Sequence, residues 1–137
     1  MNLCVCLDDK GGMLFNKRRQ SRDSVLCQKL LEISQGKKLW MSEYSAKIFP
    51  RDAEIIIDEE FFDKAEIGDF CFCEKAVPTL ENAEYIYIFL WNRRYPGDVF
   101  FGFDLANSGF MLESSEDFPG SSHEKITLNI YRKEITA

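Results

Sequence analysis

The sequence predicts an α/β fold organised around a mixed, mostly parallel sheet, on three observations. First, Leu3-Cys4-Val5-Cys6-Leu7 and Phe70-Cys71-Phe72-Cys73 are apolar at nearly every position. That is the pattern of strands covered on both faces. Second, segments with helical apolar spacing lie between the strands, as strand–helix–strand crossovers require. Third, the chain closes on the alternation Ile126-Thr127-Leu128-Asn129-Ile130-Tyr131, behind an acidic Ser/Gly-rich stretch. That combination reads as an antiparallel hairpin.

Taken in order, residues 2–8 are the first buried strand, ended by Gly11 and Gly12. A polar loop is expected to run to Ser21. Asp23 or Ser24 caps a helix over about 24–35, whose apolar face is Val25, Leu26, Leu30, Leu31 and Ile33, with Gly36 as the stop. A short strand follows over 38–41, then a turn of helix over 43–48. Residues 53–57, with Ile55, Ile56 and Ile57, are expected as a strand, and 58–65 as a helix capped by Asp58 that buries Phe61, Phe62 and Ala65. Strands follow over 70–74 and 84–91, and Pro78 discourages a long helix between them. The closing hairpin takes 110–113 and 126–131, joined by a turn reaching Ser122. Neither a linker nor a repeat interrupts this order, so 1–137 reads as a single domain.

Bulk properties exclude several functions. A net charge of −6 argues against nucleic-acid or anionic-membrane partners, which call for basic surfaces. No apolar run approaches the ~20 residues of a membrane helix. The N-terminus carries no basic segment, so no signal peptide is expected. Five cysteines, an odd number mostly inside apolar strands, suit free thiols, and a cytoplasmic location is expected. The single histidine cannot build a multi-histidine metal centre.

Two stretches carry more. Met1–Asp23 is an apolar strand, the Gly11-Gly12 pair and an acid at a helix start. Glu84–Phe101 is the strand Tyr85-Ile86-Tyr87-Ile88-Phe89-Leu90-Trp91 followed by Tyr95-Pro96-Gly97-Asp98-Val99-Phe100-Phe101. In this order they resemble dihydrofolate reductase, whose chain also opens on a strand and a Gly-containing loop. That family ends on a similar strand and a Gly-Asp-Thr-x-Phe turn. The resemblance implies a dihydrofolate reductase-like sheet, with flanking helices and a C-terminal antiparallel hairpin, in a shortened and divergent form.

The resemblance also implies roles. Asp23 would be the cleft acid that pairs with an N–H fork on a pteridine ring and helps deliver a proton; read from the residues alone it is foremost a helix cap, and one residue can serve both roles. Arg18, Arg19 and Arg22, with Lys17, would contact an anion at the helix N-terminus, or form a solvated loop. Phe89 and Trp91 would wall the ligand, although most of these aromatics suit a core. His123, beside Glu124, is an acid/base candidate or a plain turn residue. Cys4, Cys6, Cys71 and Cys73 sit on strands that neighbour each other in this fold, either approaching as four thiolates or serving as inert core; no metal is expected.

NADPH is not expected. The family's phosphate-binding Gly-Arg-x-Thr segment reads Ser42-Glu43-Tyr44-Ser45 here, with an acid in place of the arginine. Its Gly-Gly pair reads Cys71-Phe72-Cys73-Glu74, and the Thr supporting the catalytic acid falls on Phe89. The expected function is therefore a binding protein for a pterin-like or anionic heterocycle, or a divergent enzyme without standard NADPH-dependent activity. If an enzyme, it would be an oxidoreductase of this kind; a flavin is neither supported nor excluded. The alternative is a structural or regulatory module that self-associates as a homodimer or binds a protein partner, through an apolar surface around Trp40, Phe61 and Phe62.

Overall fold

The apolar opening strand lies at the centre of the sheet. The computed structural model describes residues 1–134. Its strands are β1 (Asn2–Leu7), β2 (Gly12–Phe15), β3 (Arg18–Arg19), β4 (Leu39–Met41), β5 (Ile56–Ile57), β6 (Phe70–Phe72), β7 (Tyr85–Leu90), β8 (Val99–Phe100), β9 (Phe110–Phe118) and β10 (Ile126–Lys133); its helices are α1 (Ser24–Ile33), α2 (Glu43–Ala46) and α3 (Phe61–Lys64). Seven strands form one sheet in the order β5-β4-β6-β1-β7-β10-β9. The pairs from β5 to β7 are parallel, while β7–β10 and β10–β9 are antiparallel. β1 and β7 run side by side from Asn2↔Tyr85 to Leu7↔Leu90. This is the mixed, mostly parallel sheet with a closing antiparallel pair that the apolar runs predicted.

Alternation along β1 feeds two layers of core. Leu3, Val5 and Leu7 pack with Phe61, Ile86, Ile88, Phe101 and Leu105, while Cys4 packs with Cys27 and Leu30 of α1 and with Phe49, Phe70 and Phe72. A third cluster joins Leu26 of α1 to Phe89, Trp91, Ile126 and Leu128. So α1 covers one face of the sheet, and α3 with the 101–105 segment covers the other. No helix among the described residues is long and apolar enough to cross a membrane.

Several expectations need correction. The stretch before Ser21 is not a loop throughout: β2 and β3 form a hairpin, joined by β8 in a three-stranded sheet. Its turn residues Asn16 and Lys17 both have positive φ, 50° and 63°, the twist that tight hairpins need. The segment expected to turn through Ser122 instead extends β9 to Phe118. The triple-isoleucine strand shrinks to Ile56–Ile57, with Ile57 55% exposed. The helix expected over 58–65 covers only Phe61–Lys64; Asp58 accepts the Glu60 N–H at 2.8 Å ahead of it. The apolar surface expected around Trp40, Phe61 and Phe62 is largely folded in, since Phe61 is buried and Trp40 and Phe62 are half-buried against the core.

The two Cys-x-Cys pairs do not converge. The parallel register sets Leu3 beside Cys71 and Cys4 beside Phe72, which puts the pairs one residue out of phase. Cys4 and Cys6 therefore face one side of the sheet, and Cys71 and Cys73 the other. Burial pushes the Cys71 thiol up to about 12 and that of Cys73 to about 11, as expected for inert core sulfur. Among the described residues no cluster could hold a metal ion.

Phe89 is fully buried, edge-on to Phe118 with ring centroids 6.4 Å apart. Phe89→Ala should lower stability by about 3–5 kcal/mol, read as a fall in urea midpoint with the slope unchanged.

Candidate functional site

Asp23 is both the cap of α1 and the anchor of a distant loop. Its Oδ1 accepts the N–H groups of Val25 at 2.9 Å and Leu26 at 3.3 Å, the usual geometry of a capping carboxylate. The same oxygen accepts the Ser121 N–H at 2.9 Å and the Ser121 hydroxyl at 3.2 Å. Its Oδ2 accepts the Ser122 N–H at 2.8 Å and lies 2.9 Å from His123 Nδ1. Asp23 and His123 side chains have no exposed surface. Burial pushes the Asp23 carboxyl up, but the hydrogen bonds from His123, Ser121, Ser122 and Leu26 outweigh it and hold the group well below the usual carboxylate range. Gly120 makes this approach feasible, because a Cβ there would run into Asp23 Oδ2 and stand 2.9 Å from Ile126 Cδ1.

The histidine then passes the contact on. A carboxylate only accepts, so Nδ1 carries the proton and, in the neutral ring, Nε2 presents its lone pair. Ser21 Oγ and the Tyr95 hydroxyl each lie 3.0 Å from Nε2, and Tyr95 also approaches Ser21 at 3.4 Å. Trp91 stacks on the imidazole, with centroids 4.5 Å apart and planes 25° off parallel. Asp8 places Tyr95: it is buried and accepts the Tyr95 N–H at 3.0 Å, the Gly12 N–H at 2.8 Å and the Gln20 amide at 3.3 Å. Gly12 lets Gln20 approach closely here, since a Cβ would sit 2.6 Å from Gln20 Nε2 and displace that amide.

The basic cluster separates. Arg19 forms a two-pronged ion pair with Glu74, Nε to Oε2 at 2.9 Å and Nη2 to Oε1 at 3.0 Å. Its Nη2 also donates to the Tyr44 carbonyl at 3.0 Å, and its guanidinium lies 4.0 Å from the Tyr44 ring centre. Ser45 Oγ completes the pair by donating to Glu74 at 2.8 Å. The β2–β3 hairpin is thereby strapped to α2 and to the end of β6. Arg18 and Arg22 stay exposed. Arg22 borders a cavity of about 230 Å³ with Asp23, Ser24, Cys27, Ile48 and the 121–122 loop. A second cavity, between Ser21, Arg19, Glu74, Cys73 and Trp91, measures about 10 Å³, the room of a single water. Gln20 Oε1, on the same cavity, is buried and meets no donor among the described residues.

Of the residues singled out in the sequence, the structure brings Asp23, His123 and Trp91 together. Arg19 is committed to Glu74, and Phe89 lies inside the core. Glu124 is exposed beside His123; the acid that meets the imidazole is Asp23. Ser21, Tyr95, Ser121 and Ser122 were not anticipated as partners, since hydroxyls and loop N–H groups spread over a hundred residues leave no pattern in a single sequence.

Because the Asp23 carboxyl titrates lower when folded than the ~3.9 of an unfolded chain, its stabilisation is fully present above that value. It fades as pH falls below it. Asp23→Asn, whose amide would face the Ser122 and His123 donors, should cost roughly 3–5 kcal/mol at neutral pH. In urea titrations run from neutral pH to pH ~2, the gap between wild type and variant should narrow steadily.

No protein-family model matches this chain, and neither does any curated protein sequence. Among solved structures it is similar to dihydrofolate reductase from Enterococcus faecalis complexed with NADP(H) and RAB-propyl. The match has a TM-score of 0.69 at 12% identity and covers 98% of this chain and 96% of that one. At that identity the likeness speaks for the backbone, and the strand order and closing antiparallel pair agree with it. The chain therefore has a dihydrofolate reductase-like α/β fold, in a form far diverged in sequence.

Proposed function

We propose that this chain is a divergent small-molecule enzyme on the dihydrofolate reductase-like scaffold, working from the buried Asp23–His123 couple as a general acid/base. The observation that carries this is the state of Asp23. Six hydrogen bonds occupy its two oxygens, so no N–H fork of a pteridine can pair with it. What it offers instead is a positioned imidazole facing two hydroxyls. A buried, fully bonded acid–histidine pair beside reactive hydroxyls is the arrangement that proton transfer requires.

Three further observations support a reaction without nicotinamide. Glu59 Oε2 accepts the Glu43 N–H at 2.9 Å, so a carboxylate already occupies the start of α2. In the resembled family a phosphate would lie there, and an acid repels it. Glu74 and Cys73 put side chains where that family needs bare backbone. The Arg19–Glu74 ion pair lies beside them, on the cavity of about 10 Å³.

Two measurements test the reading. Nitrogen NMR of the one imidazole should show the Nδ1-protonated tautomer in the neutral ring, lost in Asp23→Asn; an Nε2-protonated ring would overturn the proposal. In a thermal-shift panel, NADPH should leave the melting point unchanged. A rise of several degrees with NADPH, or with a pterin in wild type but not in Asp23→Asn, would restore the inherited chemistry.

A further inference from the structure

We infer that Ser21 is a nucleophile activated by His123, and that the site hydrolyses esters of short acyl groups. This rests on the acid/base reading above and goes beyond it by naming the attacking atom and the substrate class. Asp23 Oδ2, His123 Nδ1, His123 Nε2 and Ser21 Oγ form a continuous relay, with steps of 2.9 Å and 3.0 Å on either side of the ring. The carboxylate orients the ring and supports the imidazolium, the ring takes the hydroxyl proton, and the serine attacks. The three residues come from two segments about a hundred positions apart. Two independent anchors hold them: the bonds that fasten the 121–123 loop onto α1, and Asp8, which carries the Tyr95 segment.

Each remaining group has a place. In the first step the Ser21 Oγ–H proton passes to Nε2, and Oγ bonds to the acyl carbon. The Tyr95 hydroxyl, 3.4 Å from Ser21 Oγ, supplies a donor to the oxyanion that develops there. The carbon–oxygen bond to the leaving alcohol then breaks, and the imidazolium returns its proton to that oxygen. In the second step a water gives its proton to Nε2 and attacks the acyl-serine; the acid is released and Ser21 regains its hydrogen. The cavity of about 10 Å³ beside Ser21, with Gln20 Oε1 as an acceptor in need of a donor, suits that single water. A cavity of that size beside Oγ admits no long acyl chain. Ser21 keeps part of its surface in solvent.

The full chain is treated with a fluorophosphonate, which forms a phosphorus–oxygen bond with an activated serine and expels fluoride. In parallel it is assayed with p-nitrophenyl acetate. One adduct per chain, mapped to Ser21, is expected, with acetate-ester turnover reduced at least about 100-fold in Ser21→Ala. Ser21→Cys guards against a folding defect. Its thiol, beside His123, should react with iodoacetamide ahead of the native cysteines, whose thiols burial pushes up, to about 11 for Cys27 and Cys73 and about 12 for Cys71. Adducts mapping to Tyr95 or to lysine, unchanged turnover in Ser21→Ala, or a new thiol no faster than the native ones would each overturn the assignment. The histidine tautomer, measured in Ser21→Ala, separates the two levels. An Nδ1-protonated ring with no Ser21 adduct sinks the nucleophile alone, and a reversed ring sinks the acid/base reading as well.

Discussion

A single buried carboxylate organises this molecule. Withdrawing an ionised acid from water is expensive unless donors replace the lost hydration. Asp23 collects six of them, two from its own helix and four from a loop nearly a hundred residues further along the chain. Each donor is itself restrained by the charge it serves. The start of α1, the entry of β10 and the orientation of the imidazole therefore depend on one group. Removing its charge strands several donors at once, an effect larger than that of losing an ordinary cap.

A second ion pair shapes the opposite wall. Arg19 and Glu74 meet through two parallel bonds, the geometry in which a guanidinium and a carboxylate bind most specifically. Tyr44 and Ser45 hold them from α2. The outcome is a scaffold whose interior charges have been turned inward onto one another. The buried histidine edge meets its two hydroxyls beside them, next to a space of water size.

Much of the fold was legible in the sequence because burial on both faces leaves an unmistakable apolar run. β1, β6 and β7 were read from such runs, and α1 from its cap and spacing. The β2–β3 hairpin escaped because its turn uses Asn16-Lys17 without the glycine that usually marks positive φ. The length of β9 escaped because Glu113-Ser114-Ser115-Glu116-Asp117 carries the composition of a loop, and its pairing is set by β10 alone. At the site, Asp23 and His123 were visible as unusual residues. Their union was not, since it depends on how the last hairpin folds back over α1. Likewise, the facing of the four strand cysteines follows from a register that spacing within one strand does not determine.

That polar β9 has a consequence at the border of the sheet. It is nine residues long and among the described residues its outer side meets no further strand of the sheet, so its backbone is a ready template for sheet growth. Were another copy to dock there antiparallel about Ser115, Glu113 of each chain would come opposite Asp117 of the other, acid against acid. The far border ends on two-residue β5, too short to recruit a neighbour. In that register one rim is opposed by repulsion, and the other is limited by brevity.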